Sequence, residues 1–117
     1  VKYAEKFLGI PYTWGGTSPD TGFDCSGFVS YCLTNSGVLN TGHLDCNGLL
    51  ARMTVIPESE MQPGDIIFFQ GTYATSGASH VGIYIGNGQM VHSGNPNKIS
   101  DIYSSYFQQH WMCVARW

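Results

Sequence analysis

Apolar residues follow two different rhythms along this chain. Over residues 1–8 they recur at helical spacing, with Tyr3, Ala4, Phe7 and Leu8 on one side, and Gly9 and Pro11 end the pattern. Residues 25–35 repeat it with Phe28, Val29, Tyr31, Cys32 and Leu33, and stop at Asn35-Ser36-Gly37. Between them, residues 11–24 form a loop of small and polar residues anchored by Tyr12, Trp14 and Phe23. Residues 38–60 are poorly patterned, with a short helix expected near 48–53. The rhythm then changes. Met61-Gln62-Pro63-Gly64-Asp65 is a turn, and Ile66-Ile67-Phe68-Phe69 is a short buried strand. Residues 70–79 make a small-residue loop, either a lid or a connector. Further strands are expected over 80–86, 89–93, 98–102 and 112–117, with a helical turn over 104–110. Helices first and strands afterwards predict an α+β fold, with N-terminal helices packed on an antiparallel β-sheet. At 117 residues the chain reads as one domain, 1–117, without internal repeats.

Composition narrows the function classes. The 43% hydrophobic content suits a packed core, and the 11% charged content is low beside 15 glycines and 14% aromatics. That mixture favours turns and an aromatic-lined surface over long solvated helices. The formal net charge is −3 with no basic cluster, which removes the electrostatic footprint of a nucleic-acid binder. No apolar run approaches the roughly 20 residues that cross a bilayer, so no membrane insertion is expected. The chain opens on Val1 inside a helical pattern, which predicts a domain taken from a longer protein. The cysteines at 25, 32, 46 and 113 form no C-x-x-C pair, so no metal site is expected. Cys32 lies two helical turns after Cys25 and reads as a core residue.

Asp24-Cys25-Ser26-Gly27 carries the chemistry. A cysteine on the first turn of a helix meets backbone N–H groups and the positive end of the dipole, and both favour the thiolate. The thiolate is the attacking species, so Cys25 is the candidate nucleophile. Asp24 is placed to cap the helix, and its carboxylate could also pair with an ammonium group. Asp45-Cys46-Asn47-Gly48 repeats the pattern. It lacks the upstream Tyr12-Thr13-Trp14-Gly15-Gly16 loop, and its Asn-Gly step reads as a turn, so Cys46 is taken as a decoy.

Four histidines, at 43, 80, 92 and 110, are available as a base. His80 and His92 share one predicted hairpin around Gly86-Asn87-Gly88, and its register decides whether their rings meet. A two-residue turn pairing Ile83 with His92 would send them to opposite faces. A three-residue loop with Gly88 in a bulge pairs Ile83 with Val91 and Gly82 with His92. That register puts Val81, Ile83, Ile85 and Val91 on the core face, and His80, Gly82, Tyr84, Met90 and His92 on the other. The hydrophobic match favours it. His80 then acts as base toward Cys25, His92 holds its tautomer, and Gly82 leaves room between them for a side chain or substrate.

Pro11-Tyr-Thr-Trp-Gly-Gly16, Asp24-Cys-Ser-Gly27, Pro63-Gly-Asp65 and Ser79-His-Val-Gly-Ile-Tyr-Ile-Gly86 followed by His92 resemble the NlpC/P60 family of papain-like cysteine peptidases of bacterial cell walls. The resemblance implies a Cys25-His80-His92 site without cofactor, acting on peptidoglycan stem peptides between D-γ-glutamate and diaminopimelate or lysine. It places Tyr12 by the nucleophile, and Asp24 and Ser26 near the free L-Ala amine of the peptide. It further implies an exported, wall-associated, monomeric domain, with a second hydrolase or wall-binding domain tethered to it. Residues 40–48 depart from the Leu-Pro-Arg-like segment many relatives carry, which leaves that wall of the pocket unassigned. An N-acetylmuramoyl-L-alanine amidase, a cross-bridge peptidase and a non-catalytic wall-binding module are the alternatives.

Overall fold

The computed structural model describes residues 17–18, 22–35, 44–71, 77–93 and 98–116. The helical pattern over 1–8, together with Tyr12, Trp14 and His43, lies outside them.

Two short strands, β1 (Thr17–Ser18) and β2 (Gly22–Phe23), pair antiparallel inside what the sequence pattern reads as loop. They lead into α1 (Cys25–Asn35). Asp24 starts this helix: its Oδ1 accepts the Gly27 N–H at 2.7 Å and its carbonyl accepts the Phe28 N–H at 3.0 Å. Eight of the eleven residues of α1 are buried, so this is a core helix rather than a surface one. Cys32 is among them, as its spacing predicts.

α2 (Cys46–Ala51) begins two residues before the helix expected at 48–53. The reason is a cap the Asn-Gly step conceals. Asp45 Oδ1 accepts the Gly48 N–H at 2.7 Å, so the chain turns into a helix at once. β3 (Thr54–Ile56) follows, then a 3₁₀ turn at Glu58–Glu60. β3 has only three residues, too few for a readable alternation.

The remaining strands are β4 (Ile66–Gln70), β5 (Ala78–Gly86), β6 (Gln89–His92) and β7 (Lys98–Asp101), then α3 (Ser105–Gln109) and β8 (Trp111–Arg116). They form one antiparallel sheet with β3, in the order β3-β8-β4-β5-β6-β7. The architecture is α+β, with helices packed on an antiparallel sheet. One face carries Phe68, Val81, Ile83 and Val91 against Phe28, Val29 and Leu33 of α1 and Leu49 of α2. The other carries Ile67, Phe69, Met90 and Val114 under Phe107 and Trp111. β4 is therefore covered on both sides, which explains its unbroken Ile-Ile-Phe-Phe run. Each fully buried side chain of this kind contributes about 1.5–3 kcal/mol of burial free energy.

The Pro63-Gly64-Asp65 turn is a structural clamp. Asp65 accepts the Gln62 N–H at 2.8 Å and a two-pronged contact from Arg116, Nε to Oδ1 and Nη2 to Oδ2, both 2.8 Å. Burial pushes its carboxyl up, but the Arg116 and Gln62 hydrogen bonds outweigh burial and hold it below the ordinary value. The clamp fixes the entry of β4 to the end of β8.

The β5–β6 hairpin corrects one expectation and keeps its consequence. The turn has two residues, Asn87 and Gly88, both at positive φ (54° and 74°), as a type I′ turn requires. The extra residue expected in the loop sits instead in a bulge at Ile85, between Tyr84 and Gly86. Beyond the bulge Ile83 pairs with Val91 and Gly82 with His92, so the rings of His80 and His92 share a face.

Candidate active site

The site forms where α1, α2 and β5 converge. Two tethers bring the helices together. Buried Ser30 of α1 donates its hydroxyl to the Leu44 carbonyl at 3.1 Å and accepts the Leu44 N–H at 3.2 Å. Asn47 of α2 accepts the Ala78 N–H at 2.9 Å, against Gly77. Gly77 has φ +70°, and a Cβ there would come within 2.5 Å of Asn47 Oδ1, so this close approach needs glycine. The result places the Cys25 sulfur 3.7 Å from the Ser79 carbonyl oxygen and 3.7 Å from the Cys46 sulfur.

Cys25 lies at the border of the two packed layers. Its own side chain belongs to the helix-covered core. His80 reaches it from the other side, held between Phe69 and Phe107, whose ring centroids lie 6.0 and 6.4 Å away. His80 lies close enough to the Cys25 sulfur for hydrogen bonding and charge to favour the thiolate. Its Nε2 lies 2.8 Å from His92 Nδ1, which leaves Nδ1 as the nitrogen for the sulfur. His92 Nε2 in turn lies 2.7 Å from Ser100 Oγ on β7. A relay of four side chains thus runs from sulfur to hydroxyl.

The electrostatics give each member a definite state. Cys25 falls from 9.0 to about 5. The hydrogen bond from Cys46 is the largest cause; burial opposes it, and the hydrogen bond and charge of His80 add to it. Cys46 shifts the opposite way, raised by that same hydrogen bond, by burial and by the charge on Cys25. His92 falls from 6.5 to about 3, first through burial and then through the charges of His80 and Lys98. It is 3% exposed and neutral near pH 7. When His80 points Nε2–H at His92 Nδ1, a neutral His92 carries its proton on Nε2 and offers it to Ser100.

The fold places Cys25, His80 and His92 next to one another. Asp24 and Ser26 flank the sulfur on the first turn, Asp24 half-buried and capping, Ser26 buried. Tyr12 lies outside the described residues. The room that Gly82 leaves is taken by side chains rather than left for substrate: a Cβ there would meet Met90 Sδ at 2.5 Å and His92 Cβ at 3.3 Å. His110 is away from the site, its Nδ1 donating to the Gln70 carbonyl at 2.9 Å. Sequence reasoning missed Cys46, Ser100 and Phe107. Among the described residues no cluster of His, Cys, Asp or Glu is arranged to hold a metal ion, and no helix is long and apolar enough to cross a membrane.

The NlpC/P60 family pattern matches residues 9–116. The chain belongs to the NlpC/P60 family. It is 40% identical over 99% of its length to the bifunctional muramidase/DL-endopeptidase CwlT of Bacillus subtilis, of which the match covers 35%. It is 46% identical over 99% of its length to the probable endopeptidase p60 of Listeria seeligeri, covering 21% of that protein. The chain therefore spans about a third or less of these relatives. Its fold matches the crystal structure of an NLP/P60-family lipoprotein-like protein from Staphylococcus aureus with a TM-score of 0.91 and 34% identity, over 98% of this chain and 39% of that one. These NlpC/P60 likenesses place the α+β domain among papain-like folds.

Proposed function

We propose that this NlpC/P60 domain is a cysteine peptidase of peptidoglycan, cutting between D-γ-glutamate and the diamino acid of stem peptides outside the cell membrane. The observation that carries the reading is the relay from Cys25 through His80 and His92 to Ser100. The names of the similar endopeptidases support the substrate class.

In this mechanism the Cys25 thiolate attacks the γ-glutamyl carbonyl, and first-turn N–H groups of α1 hold the oxyanion. His80 Nδ1–H protonates the departing amine of the diamino acid, leaving a thioester on Cys25. The now neutral Nδ1 takes a proton from water, which attacks the thioester and releases free D-γ-glutamate with the thiolate restored. His92 keeps Nε2–H of His80 directed away from the sulfur throughout. Asp24 and Ser26, with Tyr12, bind the peptide near its free L-Ala amine. Capping does not exclude this for Asp24, since one carboxylate accepts several hydrogen bonds. The domain works as a monomer, tethered in a longer protein to a second hydrolase or a wall-binding domain.

Mass spectrometry of muropeptides incubated with the domain and with Cys25→Ala tests the reading. Fragments ending in free D-γ-glutamate, made only with Cys25 present, are expected. Release of intact stem peptides would identify an amidase, and cut cross-bridges a cross-bridge peptidase. Binding to walls with no fragments would replace the enzyme by a binding module.

A further inference from the structure

The relay accounts for Cys25 and leaves a second thiol unexplained. Hydrolysis needs one sulfur. Cys46 is nevertheless held 3.7 Å from it, free and buried like Cys25. The placement is built: the Ser30–Leu44 pair and the Asn47–Ala78 bond fix the start of α2 against α1 and β5. A disulfide bond is about 2.05 Å long, so closing the pair takes less than about 2 Å of sulfur movement.

We propose that Cys46 is a resolving cysteine that joins Cys25 in a reversible disulfide when a hydroperoxide oxidises Cys25. The Cys25 thiolate attacks the outer oxygen of the peroxide, the O–O bond breaks, and Cys25 becomes a sulfenic acid as hydroxide or alkoxide leaves. That leaving oxygen takes up a proton. Cys46 then loses its proton and attacks the Cys25 sulfur. The S–O bond breaks, the proton and hydroxyl leave as water, and the S–S bond forms. Two thiols lose two electrons in all, and the peroxide gains them.

The sequence of events has a physical order. While Cys25 is a thiolate, its hydrogen bond and charge oppose ionisation of Cys46. Both are removed when the sulfenic acid forms, while burial and the charges of Asp24 and Asp45 remain, so oxidation of Cys25 makes Cys46 easier to ionise than before. The disulfide keeps Cys25 from the irreversible sulfinic and sulfonic acids. That it also switches hydrolysis off rests on the reading of Cys25 as the nucleophile; the disulfide itself does not.

The 117-residue protein, treated with hydrogen peroxide, alkylated with N-ethylmaleimide and mapped by mass spectrometry, tests this. The expected product has lost two hydrogen atoms and yields a peptide pair joining Cys25 to Cys46, cleaved by dithiothreitol. In Cys46→Ser the same dose should add two or three oxygens to Cys25, which dithiothreitol does not remove. The proposal is overturned if unsubstituted protein gains those oxygens as readily as Cys46→Ser, or if Cys25 pairs with Cys32 or Cys113. Muropeptide cleavage is read on parallel samples that receive no N-ethylmaleimide. Loss on oxidation and recovery with dithiothreitol is expected for unsubstituted protein, and loss without recovery for Cys46→Ser. A mapped Cys25–Cys46 disulfide in a protein with no cleavage before oxidation would sink the peptidase reading and leave the thiol pair standing.

Discussion

Two helices of this molecule begin with nearly the same four residues, and their cysteines end up as opposites. Asp24-Cys25-Ser26-Gly27 opens α1 and Asp45-Cys46-Asn47-Gly48 opens α2. Each aspartate accepts the N–H three residues on at 2.7 Å. Local sequence and capping are thus matched. What differs is the third dimension: His80 stands against Cys25, whereas Cys46 has Cys25 itself as its sulfur's neighbour. One sulfur is pushed toward the anion and the other toward the neutral thiol. A helix start is therefore not enough to make a reactive cysteine; the groups that the fold brings against each sulfur decide.

The largest predicted effects break the comparison outright. Cys25→Ala leaves Cys46 in place, and cleavage of muropeptides should still fall by about 10⁴-fold or more. His80→Ala should do nearly the same, since it removes both the proton carrier and a support of the thiolate. Retention of substantial cleavage by Cys25→Ala would mean that Cys46 can substitute, and the asymmetry would be wrong.

His92→Ala should be milder, lowering kcat by about 10²- to 10³-fold, because His92 orients the base rather than touching substrate. Its burial also predicts an acid sensitivity. A histidine whose value drops from 6.5 to about 3 on folding contributes stability that is complete above about pH 6.5 and is lost as pH falls toward 3. Unfolding midpoints measured from pH 7 to 4 should decline less steeply in His92→Gln than in the unsubstituted protein. An equal decline would show that His92 is not held neutral.

Cys46 sharpens the comparison from the other side. Its S–H is the largest support of the Cys25 thiolate. A hydrogen bond to a charged group is worth about 1.5–3 kcal/mol, or about 1–2 pKa units. The pH midpoint of Cys25 alkylation, near 5, should rise by about that much in Cys46→Ala and by less in Cys46→Ser, which keeps a donor. An unmoved midpoint in Cys46→Ala would assign the shift to His80 alone.

These residues were unequally legible in the sequence. Cys25 could be found because a capped helix start is written in adjacent residues. His80 and His92 could be aligned because strand alternation has a period of two, and a slip of one residue would have exposed Val81, Ile83 and Val91. The turn was misread and the pairing was not, because the bulge at Ile85 restores the same register. Asn47-Gly48 reads as a turn in sequence, and Asp45 makes it a helix start only through a cap that is a matter of geometry. Ser100 comes from a neighbouring strand whose pairing with β6 places it diagonally from His92. β3 is three residues at a sheet edge, and its strand character comes from β8. In each miss the information sits in a partner distant along the chain.

The smallest effects separate what the two aspartates share from what they do not. Removing either cap, as Asp24→Ala or Asp45→Ala, should cost about 1 kcal/mol of stability. Asparagine caps nearly as well as aspartate, so Asp24→Asn and Asp45→Asn should both unfold near the parent midpoint. Activity should divide them. If Asp24 also binds the free amine of the stem peptide, Asp24→Asn raises KM with kcat little changed, because it removes a contact present equally in ground and transition states. Asp45→Asn should leave KM where it was. Equal KM in both variants would reduce Asp24 to a cap and erase this difference between the helices, while leaving the thiol asymmetry in place, since its first causes are the bond between the two sulfurs and, for Cys25, His80, with the carboxylate charges last.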